Sequence, residues 1–211
     1  MKKIAIIGAG DLGQLIAKNI VCTNETIAGY YDDFAQLGSQ STDYPILGRT
    51  DSILDDYNKG GFTHLVIAVG YKHMNFRANL FQKFRNDIPF HNVIHPSVYI
   101  DKTVTLGQGI VIFANCTIDF GSSIGDNVLL NTSVNISHDS MVGDHSFLGP
   151  CVAMAGFVTV GRKCFIGINT TIIDNLTLCN QTQTGGGTVL IESTEVSGLY
   201  VGNPARRVEH R

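Results

Sequence analysis

The 211-residue sequence predicts two successive fold classes: a small parallel α/β unit of βαβαβ type at residues 1–92, then a parallel β-helix at residues 93–211. Two observations carry this reading. A glycine-rich turn sits between a strand pattern and a helix pattern near the start, and an apolar residue recurs at every sixth position from Ile94 onward. Each element can be justified in turn.

Lys3–Ile7 is a short apolar strand pattern that runs into Gly8-Ala9-Gly10-Asp11-Leu12-Gly13, a GxGxxG. Leu12, Leu15, Ile16 and Ile20 then keep helical spacing. A second strand, Thr26 to Tyr31, ends in Asp32-Asp33, and a third, His64 to Val69, ends in Gly70. A helix from about Met74 to Arg85 follows. This is a Rossmann-like order, in which glycines let the backbone approach a diphosphate and the next helix offers unpaired N–H groups. Asp32 is 24 residues after Gly8, where an acid accepts a hydrogen bond from a ribose hydroxyl. A tight turn with no ligand is the plainer alternative. A nicotinamide dehydrogenase needs a doubly wound sheet of roughly 150 residues, whereas this pattern stops near residue 90. A mononucleotide or a nucleotide-sugar suits the small unit better.

The apolar hits run Ile94, Ile100, Leu106, Ile112, Ile118, Ile124, Leu130, Ile136, Val142, Leu148, Met154, Val160, Ile166, Ile172 and Leu178, without an insertion. With 44% apolar residues, chance would fill about seven of these fifteen positions. A small or β-branched residue follows most hits by four places, and glycine often follows directly. A period of six means short strands joined by tight bends, three to a coil of 18, so residues 94–183 make five coils. A β-sandwich needs turn signals every 8–12 residues and alternation within strands, and neither is present.

Composition narrows the function classes. Net charge is −3, which argues against a nucleic-acid surface. No run of 18 apolar residues is present, so no membrane span is expected. The opening apolar run, Ile4 to Ile7, is too short for a signal h-region, and the cytoplasm is the expected compartment. Five cysteines (Cys22, Cys116, Cys151, Cys164 and Cys179) have no CxxC spacing, so neither disulfide nor zinc is expected, nor any other metal. No Lys or Arg occurs in the 59 residues between Lys102 and Arg162. Charge depletion of that kind marks a surface buried between subunits.

His138 lies two places after an inward hit, a register that points it away from the core, and Asp139 follows it. His145 falls at another outward position by the same count. Spacing alone leaves His138 open to a structural or an exposed role. Asp119, Asp126, Asp139 and Asp144 are the acids of the cation-free stretch, and they are placed to draw in an ammonium-bearing substrate.

The hexad array behind an α/β unit resembles the left-handed β-helix acyltransferases of the sialic-acid O-acetyltransferase/bacillosamine N-acetyltransferase type. The resemblance rests on GAGDLG (8–13), YYDD (30–33), IAVG (67–70), LNTSVNISHDSMVGD (130–144), AMAGFVTVGRKCFIGINTTI (153–172) and GLYVGNPARR (198–207). It implies a left-handed coil, a homotrimer, and acetyl transfer from acetyl-CoA to the amine of a UDP- or dTDP-linked 4-amino-4,6-dideoxy sugar, for surface glycan assembly. It also implies the roles of individual residues. His138 is the general base and Asp139 its partner, where the family usually has Glu. Gly156 is the oxyanion donor and Asn131 an acceptor-sugar contact. Ile168, Gly186 and Arg206 or Arg207 bind coenzyme A. Gly8, Gly10, Gly13, Asp32, Asp33 and Gly70 hold the nucleotide. Leu12 departs from a family histidine that touches the sugar, which leaves the sugar open. The alternatives are O-acetylation of a sugar hydroxyl, a non-catalytic nucleotide-binding scaffold, and NAD binding.

Overall fold

A computed structural model describes residues 1–21, 25–35 and 43–209. Cys22, one of the five cysteines for which neither disulfide nor zinc is expected, lies outside the described residues. The chain divides into two compact units, Met1–Pro96 and Ser97–Arg211.

In the first unit, β1 (Lys3–Ile7), β2 (Thr26–Tyr31), β3 (Ile46–Gly48) and β4 (His64–Ile67) form a parallel sheet in the order β3-β2-β1-β4. The helices α1 (Asp11–Val21), α2 (Ile53–Asn58) and α3 (Met74–Phe84) connect and flank it. β1 is central, and Ile4, Ala5, Ile6 and Ile7 are all buried, which explains its unbroken apolar run. Tyr31, Phe62, Phe81, Phe84 and Phe90 extend the core. β3 is absent from the sequence reading, and α2, the second helix of the expected βαβαβ order, had no bounds there, because three and six residues are too few to establish a period. The strand order reverses at β1, so the crevice for a ligand lies beyond the carboxyl ends of β1 and β4.

In the second unit, two-residue strands stack into three parallel sheets, the faces of a triangular coil. Face one carries Val111–Ile112, Leu129–Leu130, Phe147–Leu148 and Phe165–Ile166; face two carries Thr117–Ile118, Asn135–Ile136 and Ala153–Met154; face three carries Ser123–Ile124, Met141–Val142 and Thr159–Val160. The pairing register across these strands is 18, as in Leu129 with Phe147 and Asn135 with Ala153. From Ile112 onward the hits point inward and are buried, and so are residues four places after a hit, such as Cys116, Val128 and Val152. Where that inner position is polar it bonds the backbone of neighbouring turns: the Ser140 hydroxyl accepts from Val158 N–H at 3.1 Å, and the Ser146 hydroxyl donates to Gly161 O at 2.8 Å.

The bends have a second period of six. Position three after each hit holds a positive φ from Gly109 to Gly187, through Asn115, Asn127, Ser133, Asp139 and Phe157 among others. Asn and Asp tolerate this left-handed geometry better than most residues, which explains their frequency there. At the bend from face three to face one, glycine lets adjacent coils approach: a Cβ on Gly125 would lie 2.5 Å from Asp144 Oδ1. Across that gap Asp126 accepts from Gln108 N–H at 2.9 Å, Asp144 from Asp126 N–H at 3.0 Å and Asn180 from Arg162 N–H at 2.8 Å.

Three expectations are corrected here. The array runs past residue 183 to Val189–Leu190, because Thr184 takes the inward place of an aliphatic. The triple glycine at 185–187 therefore lies within the array and does not end it. Asp126 and Asp144 each accept a backbone N–H across the gap between coils, a structural role the sequence reading did not assign them. His145 is 1% exposed with its Nδ1 3.1 Å from Asn127 Nδ2, so it is a buried corner residue and not an outward one.

Candidate active site

The first unit contains a cavity of about 500 Å³ at the carboxyl ends of its central strands. Gly8, Gly10, Asp32, Asp33 and Gly70, all singled out from the sequence, line it together. Gly13 does not. A Cβ there would overlap Gly8 O, so Gly13 serves the close packing of α1 on the turn. Asp32 is heavily engaged: Oδ2 accepts from Ala9 N–H at 2.9 Å, and Oδ1 accepts from Phe34 and Ala35 N–H at 2.8 and 3.0 Å. Burial alone would raise its pKa, but these three donors outweigh that and hold the carboxyl below the usual range. Asp33 accepts from Thr50 N–H at 2.8 Å and from its hydroxyl at 2.9 Å. Both acids thus fix the turn and the cavity wall.

The opposite wall, Ala68 to Gly70, is held from behind by Arg77. This guanidinium is fully buried on α3 and donates through Nη1 to Ile67 O at 2.8 Å and Val69 O at 3.2 Å. Burial lowers its pKa to about 9, which leaves it charged at neutral pH. The sequence reading missed Arg77, His73, Phe76 and Phe34; the last three line the cavity. The positions of His73 and Phe76, just past Gly70, were the available signal.

In the second unit, His138 and Asp139 stand at the bend from face two to face three. His138 Nδ1 is 3.0 Å from Asp139 Oδ2, with both side chains little more than a third exposed. A carboxylate only accepts, so Nδ1 carries a proton, and in the tautomer this selects the lone pair is on Nε2. The shorter acid therefore reaches the ring directly. It does so from a left-handed corner, φ 55°, where Asp is better tolerated than Glu. The ring is held on three sides. Phe120, one coil before, stacks on it at 5.2 Å and 9°; Phe157, one coil after, meets it edge-on at 5.1 Å. Beside it lies Gly156, where a Cβ would stand 2.7 Å from the ring carbon Cε1. Neither phenylalanine was singled out from the sequence, although both occupy the register of His138 or Asp139 shifted by 18.

The remaining candidates fall on another corner. One hexad is one side of the triangle, so Asn131, seven residues before His138, sits at the bend from face one to face two and not beside His138. Asn131 Oδ1 accepts from Thr132 N–H at 2.8 Å. Ile168 and Gly186 share that corner column and meet: a Cβ on Gly186 would lie 3.0 Å from Ile168 Cγ2, and Gly187 N–H donates to Ile168 O at 2.8 Å. Arg206 and Arg207 are exposed on a short terminal strand pairing with Gly198–Val201.

Residues 3–84 match the PglD N-terminal domain family. No curated relative matches the chain by sequence. Among solved structures, a histidine-to-alanine variant of GDP-perosamine N-acetyltransferase from Caulobacter crescentus, bound to CoA and GDP-perosamine, is 28% identical. It covers 100% of this chain and 98% of its own, with a TM-score of 0.93. Over its whole length the chain thus shares the left-handed β-helix acetyltransferase fold of that enzyme. The acetyltransferase domain of PglB from Neisseria gonorrhoeae, 23% identical over 99% of this chain and 100% of its own at a TM-score of 0.90, has the same fold. So does WeeI from Acinetobacter baumannii AYE, 21% identical over 99% of this chain and 100% of its own at 0.83. Among the described residues no helix of this chain is long and apolar enough to cross a membrane, and no group of three His, Cys, Asp or Glu is placed to hold a metal.

Proposed function

We propose that this protein moves an acetyl group from acetyl-CoA to the amine of a nucleotide-linked 4-amino-4,6-dideoxy sugar, in surface glycan assembly. The observation that carries the proposal is the direct His138–Asp139 pair, with Nε2 beside Gly156. The free amine attacks the thioester carbonyl, and Nε2 accepts the proton the nitrogen loses. A backbone N–H at Gly156 stabilises the tetrahedral oxyanion. The C–S bond then breaks, and the imidazolium returns the proton to the departing thiolate. Asp139 holds the tautomer and stabilises the imidazolium. A thioester is reactive enough that no covalent enzyme intermediate is required.

The binding roles divide between the units. The cavity lined by Gly8, Gly10, Asp32, Asp33 and Gly70 takes the nucleotide, with Gly13 supporting the turn. Ile168, Gly186 and Arg206 serve coenzyme A, and Asn131 the acceptor sugar. That Asn131, Ile168 and Gly186 lie on a different corner from His138 supports an active site shared between copies of a cytoplasmic homotrimer. The absence of Lys and Arg between 102 and 162, and the exposure of Phe120, Met141 and Phe157 in that stretch, support the same assembly. Of the three bases the sequence leaves open, uracil, thymine and guanine, the similar GDP-perosamine enzyme supports guanine.

The test is thiol release from acetyl-CoA across UDP-, dTDP- and GDP-linked amino sugars, with the product identified by mass and by resistance to mild base. An amide product on one of these substrates is the expected result. An ester product would reassign the chain to O-acetylation, and no release with any acceptor would overturn the proposal. Light scattering should give three chains per particle.

A further inference from the structure

The left-handed corner column that contains Asp139 reads Gly121, Asp139, Phe157 and Asn175 in successive coils. The backbone does not by itself require glycine at such a corner, since Asn115, Asn127, Asn169 and Asn175 hold φ between 54° and 61° at equivalent positions. Gly121 differs in what its missing side chain would meet: a Cβ there would overlap Asp139 Oδ1. At Gly187, a glycine with the same geometry (φ 68°), a Cβ would meet nothing within 4 Å. The N–H of Gly121 donates to the Thr103 hydroxyl at 2.8 Å, a bond available to any residue but proline.

We infer that Gly121 is a positioning residue for acetyl transfer: its lack of a side chain leaves the space that lets the Asp139 carboxylate reach Nδ1 of His138. The arrangement has a counterpart on the next coil. Gly156 vacates the space occupied by the imidazole, just as Gly121 vacates the space occupied by the carboxylate, and Phe120 and Phe157 border the ring from the same two coils. A side chain at 121 would push the carboxylate off its ring nitrogen without touching substrate. The inference rests on the proposed role of the His138–Asp139 pair.

The experiment is Gly121→Asn, which suits the corner geometry but supplies the Cβ. Its kcat should fall to the level of Asp139→Ala, by roughly 10²-fold, the cost of displacing a catalytic group by about 1 Å. KM for acetyl-CoA should stay within twofold, and adding G121N to Asp139→Ala should change kcat no further. Imidazole ¹⁵N spectra should show His138 losing its single Nδ1–H tautomer in G121N. Retained kcat, or an equal proportional loss in the Asp139→Ala background, would overturn the inference. If G121N fails to fold, the G121N/D139A pair decides: restored folding supports the overlap, and continued failure refutes it. A wild type inactive on every acceptor would sink the functional proposal, while the tautomer spectra would still test Gly121.

Discussion

The two units use ionisable side chains in opposite ways. In the first, Asp32, Asp33 and Arg77 are bonded to backbone groups and fix the walls of a cavity. In the second, the coils are fastened by backbone ladders and inner hydroxyls, and at one bend His138 and Asp139 bond each other while staying partly open to solvent. The bend from face three to face one shows that this is not a property of acids in the β-helix generally. There Asp126 and Asp144 close the gap between coils, as the first unit's acids close its turn. Function in a repeating fold is found where a side chain leaves the repeat's own bonding pattern.

The sharpest way to break this comparison is His138→Ala. If the ring is chemical and not a fastener, kcat for acetyl transfer falls by about 10²–10⁴-fold, the usual worth of a general base. Melting temperature and oligomer mass should stay at wild-type values, because among the described residues the ring's hydrogen bond is to Asp139 alone. Near-normal turnover, or a melting temperature lowered by many degrees, would place His138 with the fasteners.

The first unit supplies the contrast through pH. His91 is buried, with Nε2 3.7 Å from Glu25 and Nδ1 3.5 Å from Lys2. Desolvation, aided by Lys2, lowers its pKa from 6.5 to about 4. Folding therefore favours the neutral ring. Below pH 6.5 the unfolded chain takes up a proton that the folded unit refuses until about pH 4, so stability drains as pH falls through that window. After allowance for screening at its solvent-facing edge the loss is about 2 kcal/mol. Amide exchange in β1 and β4 should record it, and His91→Gln should remove most of the slope. An unchanged slope in that variant would transfer the effect to other groups.

How much of this was legible in the sequence depended on repetition. Fifteen inward hits at a fixed spacing identify the β-helix because chance cannot imitate them, and GxGxxG between strand and helix identifies the crevice. Five of the six nucleotide residues do meet in one cavity, but the pattern did not reveal that Asp32 and Asp33 spend their oxygens on Ala9, Phe34, Ala35 and Thr50. Phe120, Gly121 and Phe157 were missed for a related reason. Their link to His138 and Asp139 is a separation of about 18 residues, meaningful only once the coil length is known. His145 was misplaced because counting registers cannot tell a side chain that leaves the coil from one that folds back on Asn127. Hand, subunit sharing and coenzyme contacts came from resemblance, since spacing is the same for either hand.

The smallest effect separates the two kinds of acid within the β-helix itself. Asp144→Ala removes the acceptor for Asp126 N–H and the partly exposed contact of Asp144 with Arg162 at 3.4 Å. Losing the acceptor costs about 1–2 kcal/mol of stability, and the ion pair adds at most a few tenths at that exposure. Asp144→Asn should recover most of the loss, because Asn180 already fills the same role for Arg162 N–H one coil on. Urea denaturation of the three proteins measures this order, while kcat at low and high salt should match wild type in each. A salt-dependent fall in kcat for Asp144→Asn, with stability intact, would instead return Asp144 to substrate attraction and erase the distinction between the two bends.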